Sequence, residues 1–256
     1  MVSSRLIVFL MMRKGMLYKT IGFSNPKYVG DPLNAVKIFN DLEVDELVIV
    51  DASEEGTDID YELLDEISSV SRMPICYGGK VKNKDQFQKI ISMGFEKVLI
   101  NSQAFIDQSL IESVSQKFGN QSVVVGLDVK LNEVLGQYEV FTHGGLCKIE
   151  APLSEILTTC IAKGAGEILI NNISRDGTGM GYDLTLLRKV SAICSVPFTF
   201  LGGLSSLQEI KSVSCEFGPL GIAGGSFFTF KGQFRAVLPH YIDPSQKILL
   251  LNQLDN

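Results

Sequence analysis

Tryptophan is absent from this 256-residue chain, histidine occurs only twice, and the five cysteines include no Cys-x-x-Cys pair. Without such clusters a zinc site has no ligand pattern to build on, and no metal or other cofactor is expected. The cysteines, Cys76, Cys147, Cys160, Cys194 and Cys215, are odd in number and lie mostly in apolar segments. Unpaired thiols of that kind suit a reducing compartment, so the expected location is the cytoplasm. No stretch approaches the roughly 20 apolar residues of a bilayer-spanning helix. The apolar run at 5–12 is short and is followed by Arg13-Lys14-Gly15 with no small-residue cleavage site, so it reads as a first strand and not as a signal peptide. Basic charge is scarce as well: 23 Lys+Arg face 29 Asp+Glu, for a formal charge of −6. That balance argues against nucleic acid or an anionic membrane as a partner, since both need a basic footprint.

What the chain does have is apolar content, 45% of residues with 15 Phe, enough for a packed core. Eight short apolar runs recur, at 5–11, 46–51, 74–77, 97–101, 122–128, 167–171, 197–201 and 220–223. Amphipathic stretches separate them at 31–42, 60–71, 84–93, 108–118, 152–163, 184–192 and 206–212. Strands that are apolar almost throughout are buried on both faces, as in a parallel sheet covered by helices. No Gly-x-Gly-x-x-Gly opens the first helix, which removes the dinucleotide-binding open sheet. The expected fold is therefore an α/β single domain, 1–256, built as a (β/α)8 TIM barrel. One departure from strict alternation is 130–145, where 133–143 reads as a small hairpin inserted after strand five. Long loops at that end of a barrel usually serve the active site.

An internal repeat is visible. Gly78-Gly79 and Gly202-Gly203 lie 124 positions apart, and the same offset carries Ser102 onto Ser226. The chain thus divides into half-barrels of about 1–118 and 119–256. Glycines at a strand end let a ligand reach the backbone, and a small residue opening a helix leaves N–H groups free for an anion. Gly79, Asn101 and Ser102 form one candidate cradle and Gly203, Gly225 and Ser226 the other. The expected ligand is a bisphosphorylated small molecule, with one phosphate at each end.

These features, with Arg175-Asp176-Gly177-Thr178, Gly181-Tyr182-Asp183-Leu184 and Thr142-His143-Gly144-Gly145, resemble the cyclase subunit of imidazole glycerol phosphate synthase over essentially the whole chain. The resemblance implies a barrel that takes ammonia from a glutamine amidotransferase partner. It also implies two catalytic aspartates, ending strands one and five. An offset of 117 aligns Leu10-Met11-Met12-Arg13 with Leu127-Asp128-Val129-Lys130, so Asp128 is present and Met11 stands in place of the other. A thioether neither donates nor takes up a proton at neutral pH, so a two-carboxylate mechanism cannot run unchanged. Asp51, ending strand two, does not replace the missing group. Lys19 and Asp176 match substrate-binding positions. Arg5, Glu46, Lys97 and Glu167 match the charged ring that gates the family's ammonia tunnel at the opposite barrel end.

A closer resemblance runs through Lys19-Thr20, Pro26, Tyr28, Gly30-Asp31-Pro32, Asn34-Ala35-Val36 and Phe234-Arg235-Ala236-Val237-Leu238. These residues are similar to cyclase-like paralogues associated with acetamidino modification of surface-polysaccharide sugars, which implies a separate sugar amidotransferase as nitrogen acceptor. Two departures stand out: Gly78-Gly79-Lys80 has two of the usual three glycines, and Leu201-Gly202-Gly203-Leu204 is not the common small-residue loop. Three functional classes follow: an ammonia-channelling subunit, an authentic cyclase, or a noncatalytic scaffold in which a mobile loop at 13–30 responds to ligand. His143 could face the ligand, although a lone loop histidine more often makes structural hydrogen bonds. The apolar run at 246–254 is expected to dock on the barrel.

Overall fold

The computed structural model describes residues 3–54 and 56–251. Its eight parallel strands are β1 (Arg5–Arg13), β2 (Glu46–Asp51), β3 (Ile75–Gly78), β4 (Lys97–Ile100), β5 (Val123–Asn132), β6 (Glu167–Asn172), β7 (Phe198–Leu201) and β8 (Gly221–Gly224). Each pairs with its neighbours in sequence, and β8 pairs with β1 to close the ring. The chain folds as a (β/α)8 barrel. Side chains alternate across each strand. On β1, Leu6, Val8, Leu10 and Met12 join the core between strands and helices, while Ile7 points inward. Ile7 shares an inner layer with Val48, Cys76, Leu99, Val124, Leu169, Leu201 and Ala223, one residue from each strand. Both strand faces are apolar, which is why the runs showed no two-residue alternation.

The helices are α1 (Pro32–Asp41), α2 (Tyr61–Val70), α3 (Lys84–Ser92), α4 (Ser109–Phe118), α5 (Leu153–Ala162), α6 (Leu184–Ser191), α7 (Leu207–Phe217) and α8 (Pro244–Leu251). Asp31, Asp60, Asn83, Asp183 and Ser206 cap five of them, each accepting the N–H three residues on. Four-residue helical turns follow β4 (Gln103–Ile106) and β8 (Ser226–Thr229). The expected docking of the C-terminal run holds through 251. Leu251 is buried in the main core, and Lys247 on α8 pairs with Asp45, the residue before β2.

Three expectations need correction. The segment 13–30 is not a loop: Met16–Ile21 pairs antiparallel with the end of β1 and with Ser24–Gly30, forming a three-stranded ribbon over the mouth. Positive-φ residues turn it, Lys14 and Gly15 at one end and Gly22 and Phe23 at the other. Most of its side chains are at least partly exposed, so no buried stripe marked it as sheet. The hairpin at 133–143 exists, but its first strand is β5 itself, which runs past Asp128 to Asn132 before returning as Gln137–Thr142.

The third correction concerns the glycine repeat. Across the barrel, Val50 pairs with Gly78 and Asn171 with Leu201, so Gly78 is the counterpart of Leu201. A Cβ on Gly79 would strike the Asp51 carbonyl oxygen at 2.2 Å, and one on Gly202 the Asn172 carbonyl oxygen at 2.6 Å. Gly79 therefore matches Gly202, and Lys80 matches Gly203, an offset one short of that read from the glycine pairs. Leu201 stands where the first half has Gly78, and that shifted the apparent alignment.

Candidate functional site

The N-terminal end of the barrel is closed by charge. Arg5 reaches Glu46 and, at 2.7 Å, Glu167. Lys97 reaches Glu46 at 2.9 Å and Glu167 at 2.8 Å. Strands β1, β2, β4 and β6 thus bring these four charged residues into one alternating ring, with Thr199 on β7 donating to Glu167. Burial alone would lower Arg5 and Lys97, but the facing carboxylates outweigh it and hold both above their ordinary values. Burial likewise works to raise Glu167, and Lys97 and Arg5 pull it below the usual carboxylate range. Two cations and two carboxylates leave the ring neutral, which lets it sit with little solvent. Above it lies the inner apolar layer, where burial, and then Glu46, push the Cys76 thiol upward.

At the opposite mouth, β1 alternation places Met11 on the interior side, two residues beyond Phe9, which packs on the inner layer. Asp128 ends the interior row of β5. Its oxygens accept from Asn101 Nδ2 at 2.9 Å and Asn171 Nδ2 at 3.0 Å. Burial pushes the Asp128 carboxyl up to about 6, against the two amide hydrogen bonds. Asn171 Oδ1 is itself buried with no hydrogen-bond partner. Lys19 comes from the ribbon, 7% exposed, with its ammonium on the Phe9 carbonyl. Burial lowers it to about 8, and Asp176 opposes the fall. Asp176 is raised by its own burial, against Lys19, the Thr20 hydroxyl at 3.1 Å and the Phe23 N–H.

The two cradles flank this centre. Ser102 precedes its helical turn, whereas Ser226, which the repeat matched to it, is the first residue of its own, with Gly225 before it; Ser102 makes no side-chain cap. Ser102 Oγ donates to Asn101 Oδ1 at 3.2 Å and accepts from the His143 N–H at 3.0 Å, so His143 serves the first cradle through its backbone. In the second cradle, Asp176, Gly177, Gly203, Gly225 and Ser226 line one cavity. Sequence reasoning missed Asn171 as a partner of Asp128. Its signal was Asn171-Asn172, two amides closing the otherwise apolar β6 run. It also missed Arg235 as a site residue: Nη2 lies 3.4 Å from Ser226 Oγ and Nη1 donates to the Gly177 carbonyl at 3.2 Å. No group of three or more His, Cys, Asp or Glu gathers as metal ligands among the described residues.

Comparison with known proteins yields one family model, described as histidine biosynthesis protein, matching residues 10–235. A protein of Leptospira interrogans, provisionally named imidazole glycerol phosphate synthase subunit HisF, is 45% identical over 249 residues, covering 96% of this chain and 98% of its own length. A provisionally named subunit of that synthase from Vibrio vulnificus is 42% identical, covering 96% of each chain. Lactococcus lactis subunit HisF is 35% identical over 215 residues, 83% of each chain.

Proposed function

Since this chain belongs to the histidine biosynthesis protein family, we propose that it is a HisF-like subunit that binds a glutamine amidotransferase at its N-terminal face and conducts ammonia through the barrel. The observation that carries this reading is the complete Arg5/Glu46/Lys97/Glu167 ring at one end of a barrel whose other end has Asp128 on β5 but Met11, not a second carboxylate, at the matching position of β1. Ring closure by paired acid and base needs two titratable groups within reach of the moving protons. Delivery of a small neutral nucleophile needs only a passage and a receptive mouth. The unpartnered, buried Asn171 Oδ1 beside Asp128 supplies an acceptor that an ammonia N–H would satisfy. The nitrogen then passes to a separate sugar amidotransferase acting in acetamidino modification of a surface polysaccharide, in the cytoplasm.

Two experiments test this. A glutaminase should co-purify with the protein from its native host, and deletion of the gene should remove amidine groups from the cell-surface glycan. Failure of any glutaminase to bind in pull-downs overturns the reading. A second reading, an authentic cyclase of histidine biosynthesis, draws support from Asp128, whose carboxyl near 6 is suited to proton transfer at neutral pH. Turnover of the bisphosphate nucleotide with ammonium salts, and complementation of a histidine auxotroph, would favour it. Met11→Asp should raise that turnover if the missing carboxylate is the only defect.

A further inference from the structure

The two cradles share a backbone plan and differ in where their cations point. In the first half, Lys80 occupies the place of Gly203 with φ +61, against φ +108 for the glycine. A side-chain-bearing residue stays in that region only when its surroundings hold it there, which makes such an outlier a pointer to function. What holds Lys80 is an ion pair to Asp51 Oδ2 at 2.7 Å and a hydrogen bond to the Asp58 carbonyl at 3.1 Å. Asp51 is 7% exposed and also takes the Ser53 N–H and hydroxyl. The first cradle's cation is therefore strapped to a buried carboxylate. Two of its side-chain donors have partners as well: the Ser102 hydroxyl donates to Asn101, and the Asn101 amide donates to Asp128.

The second cradle is furnished in the opposite sense. A small hairpin, Phe230–Lys231 paired with Ala236–Val237, stands apart from the barrel sheet and brings Arg235 against Gly177 and Ser226 of the cavity wall, while Arg235 itself lines a neighbouring cavity with Lys19, Lys27 and Phe230. Arg235 also has a positive φ, +48. Its guanidinium lies 4.9 Å from the Phe230 ring centre, and its carbonyl accepts from Lys27 of the ribbon at 3.0 Å. No carboxylate pairs with it among the described residues. The buried Lys19 ammonium stands so near Gly225 that a Cβ there would lie 2.4 Å from it. An arginine with donors to spare at the edge of a glycine-lined cavity, touching Gly177 and Ser226 of its wall, is suited to a phosphoryl group, which it can hold through two parallel hydrogen bonds.

We propose that the ligand of this barrel carries one phosphoryl group, held in the second cradle by Arg235 with Lys19, and that the first cradle, strapped by Lys80 and Asp51, takes none. The repeat alone led to a bisphosphate; the side chains divide the two ends. This inference rests on the mouth being a ligand site and not on the glutaminase partnership, so the pull-down and the test below fail independently.

The probe is inorganic phosphate, titrated calorimetrically into the full chain at fixed salt. One phosphate per chain should bind. Arg235→Ala should weaken it by about tenfold or more, the scale of losing a charge-assisted pair, with the thermal midpoint unchanged. Ser226→Asp should abolish binding by placing negative charge in the occupied cradle, while Ser102→Asp should leave it intact. Lys80→Gly should not weaken binding either. Because that variant also frees the strap on Asp51, the two serine variants provide a contrast independent of it. Two phosphates per chain, no measurable phosphate at all, or equal losses in the Ser102→Asp and Ser226→Asp variants would overturn the proposal.

Discussion

Asp128 is held by two amides away from solvent, and its carboxyl protonates near 6 because burial disfavours the charged form. The folded chain therefore binds that proton more tightly than the unfolded chain does. Folding stability should fall as pH rises from about 4 to about 6, and the deficit should persist above that window. Asp128→Asn removes the titration, so the variant should be more stable than the parent at pH 7, by about 3 kcal/mol, and no more stable near pH 4, read from urea midpoints. Lys19 titrates about two units higher, and its proton matters to a ligand more than to the fold. Burial brings it to about 8, so phosphate affinity should decline between about pH 7 and 9 as the ammonium discharges, whereas Lys19→Arg, always charged, should flatten that profile. Asp128 was legible as the carboxylate ending the fifth apolar run, whereas Lys19 and Asp176 were reached only through the family resemblance. Arg235 was not legible, because nothing in Phe234-Arg235-Ala236 says which cavity the guanidinium reaches.

Among the elements, the caps and the charge ring offer the sharpest tests. Asp60 and Asp183 cap equivalent helices, α2 and α6, by the same bond to the N–H three residues on. Asp183 also accepts from the Tyr138 hydroxyl at 2.8 Å and the Asn172 amide at 3.3 Å. Asp60→Ala should cost about 1 kcal/mol, the worth of a cap, and Asp183→Ala clearly more, measured by denaturant melts. In the ring, Lys97→Met leaves Glu46 and Glu167 to share Arg5, and a buried carboxylate deprived of its partner costs about 3–5 kcal/mol. Adding Glu167→Gln to the same chain should recover much of that loss. The strands were legible because each buries both faces and reads as an unbroken apolar run. The ribbon was not, because Lys19, Lys27 and their neighbours present no such stripe. Its turns do carry glycines, Gly15 and Gly22, but share the left-handed region with Lys14 and Phe23, residues that seldom mark such turns.

For the whole molecule, the sequence conveyed the eightfold alternation, and it misplaced the glycine repeat by one residue because Leu201 stands where the first half has Gly78 and Lys80 where the second has Gly203. The ring carries a consequence at this scale. Its members are divided unequally between the two segments of the chain: Arg5, Glu46 and Lys97 lie before residue 118, and Glu167 after it. Severed there, the first fragment keeps two cations and one carboxylate of the ring, a surplus of one positive charge, and the second keeps a single negative charge to match it. The barrel floor would then serve as a recognition device between separate polypeptides, one that holds the pair together as well as closing a wall. Co-expressed fragments 1–118 and 119–256 should assemble into the barrel; because they carry net charges of −4 and −2, salt should speed their encounter by screening that repulsion, and the ring should act on how long the assembled pair lasts. Glu167→Gln in the second fragment should hasten dissociation with little change in the encounter rate, as followed by stopped-flow fluorescence of the tyrosines.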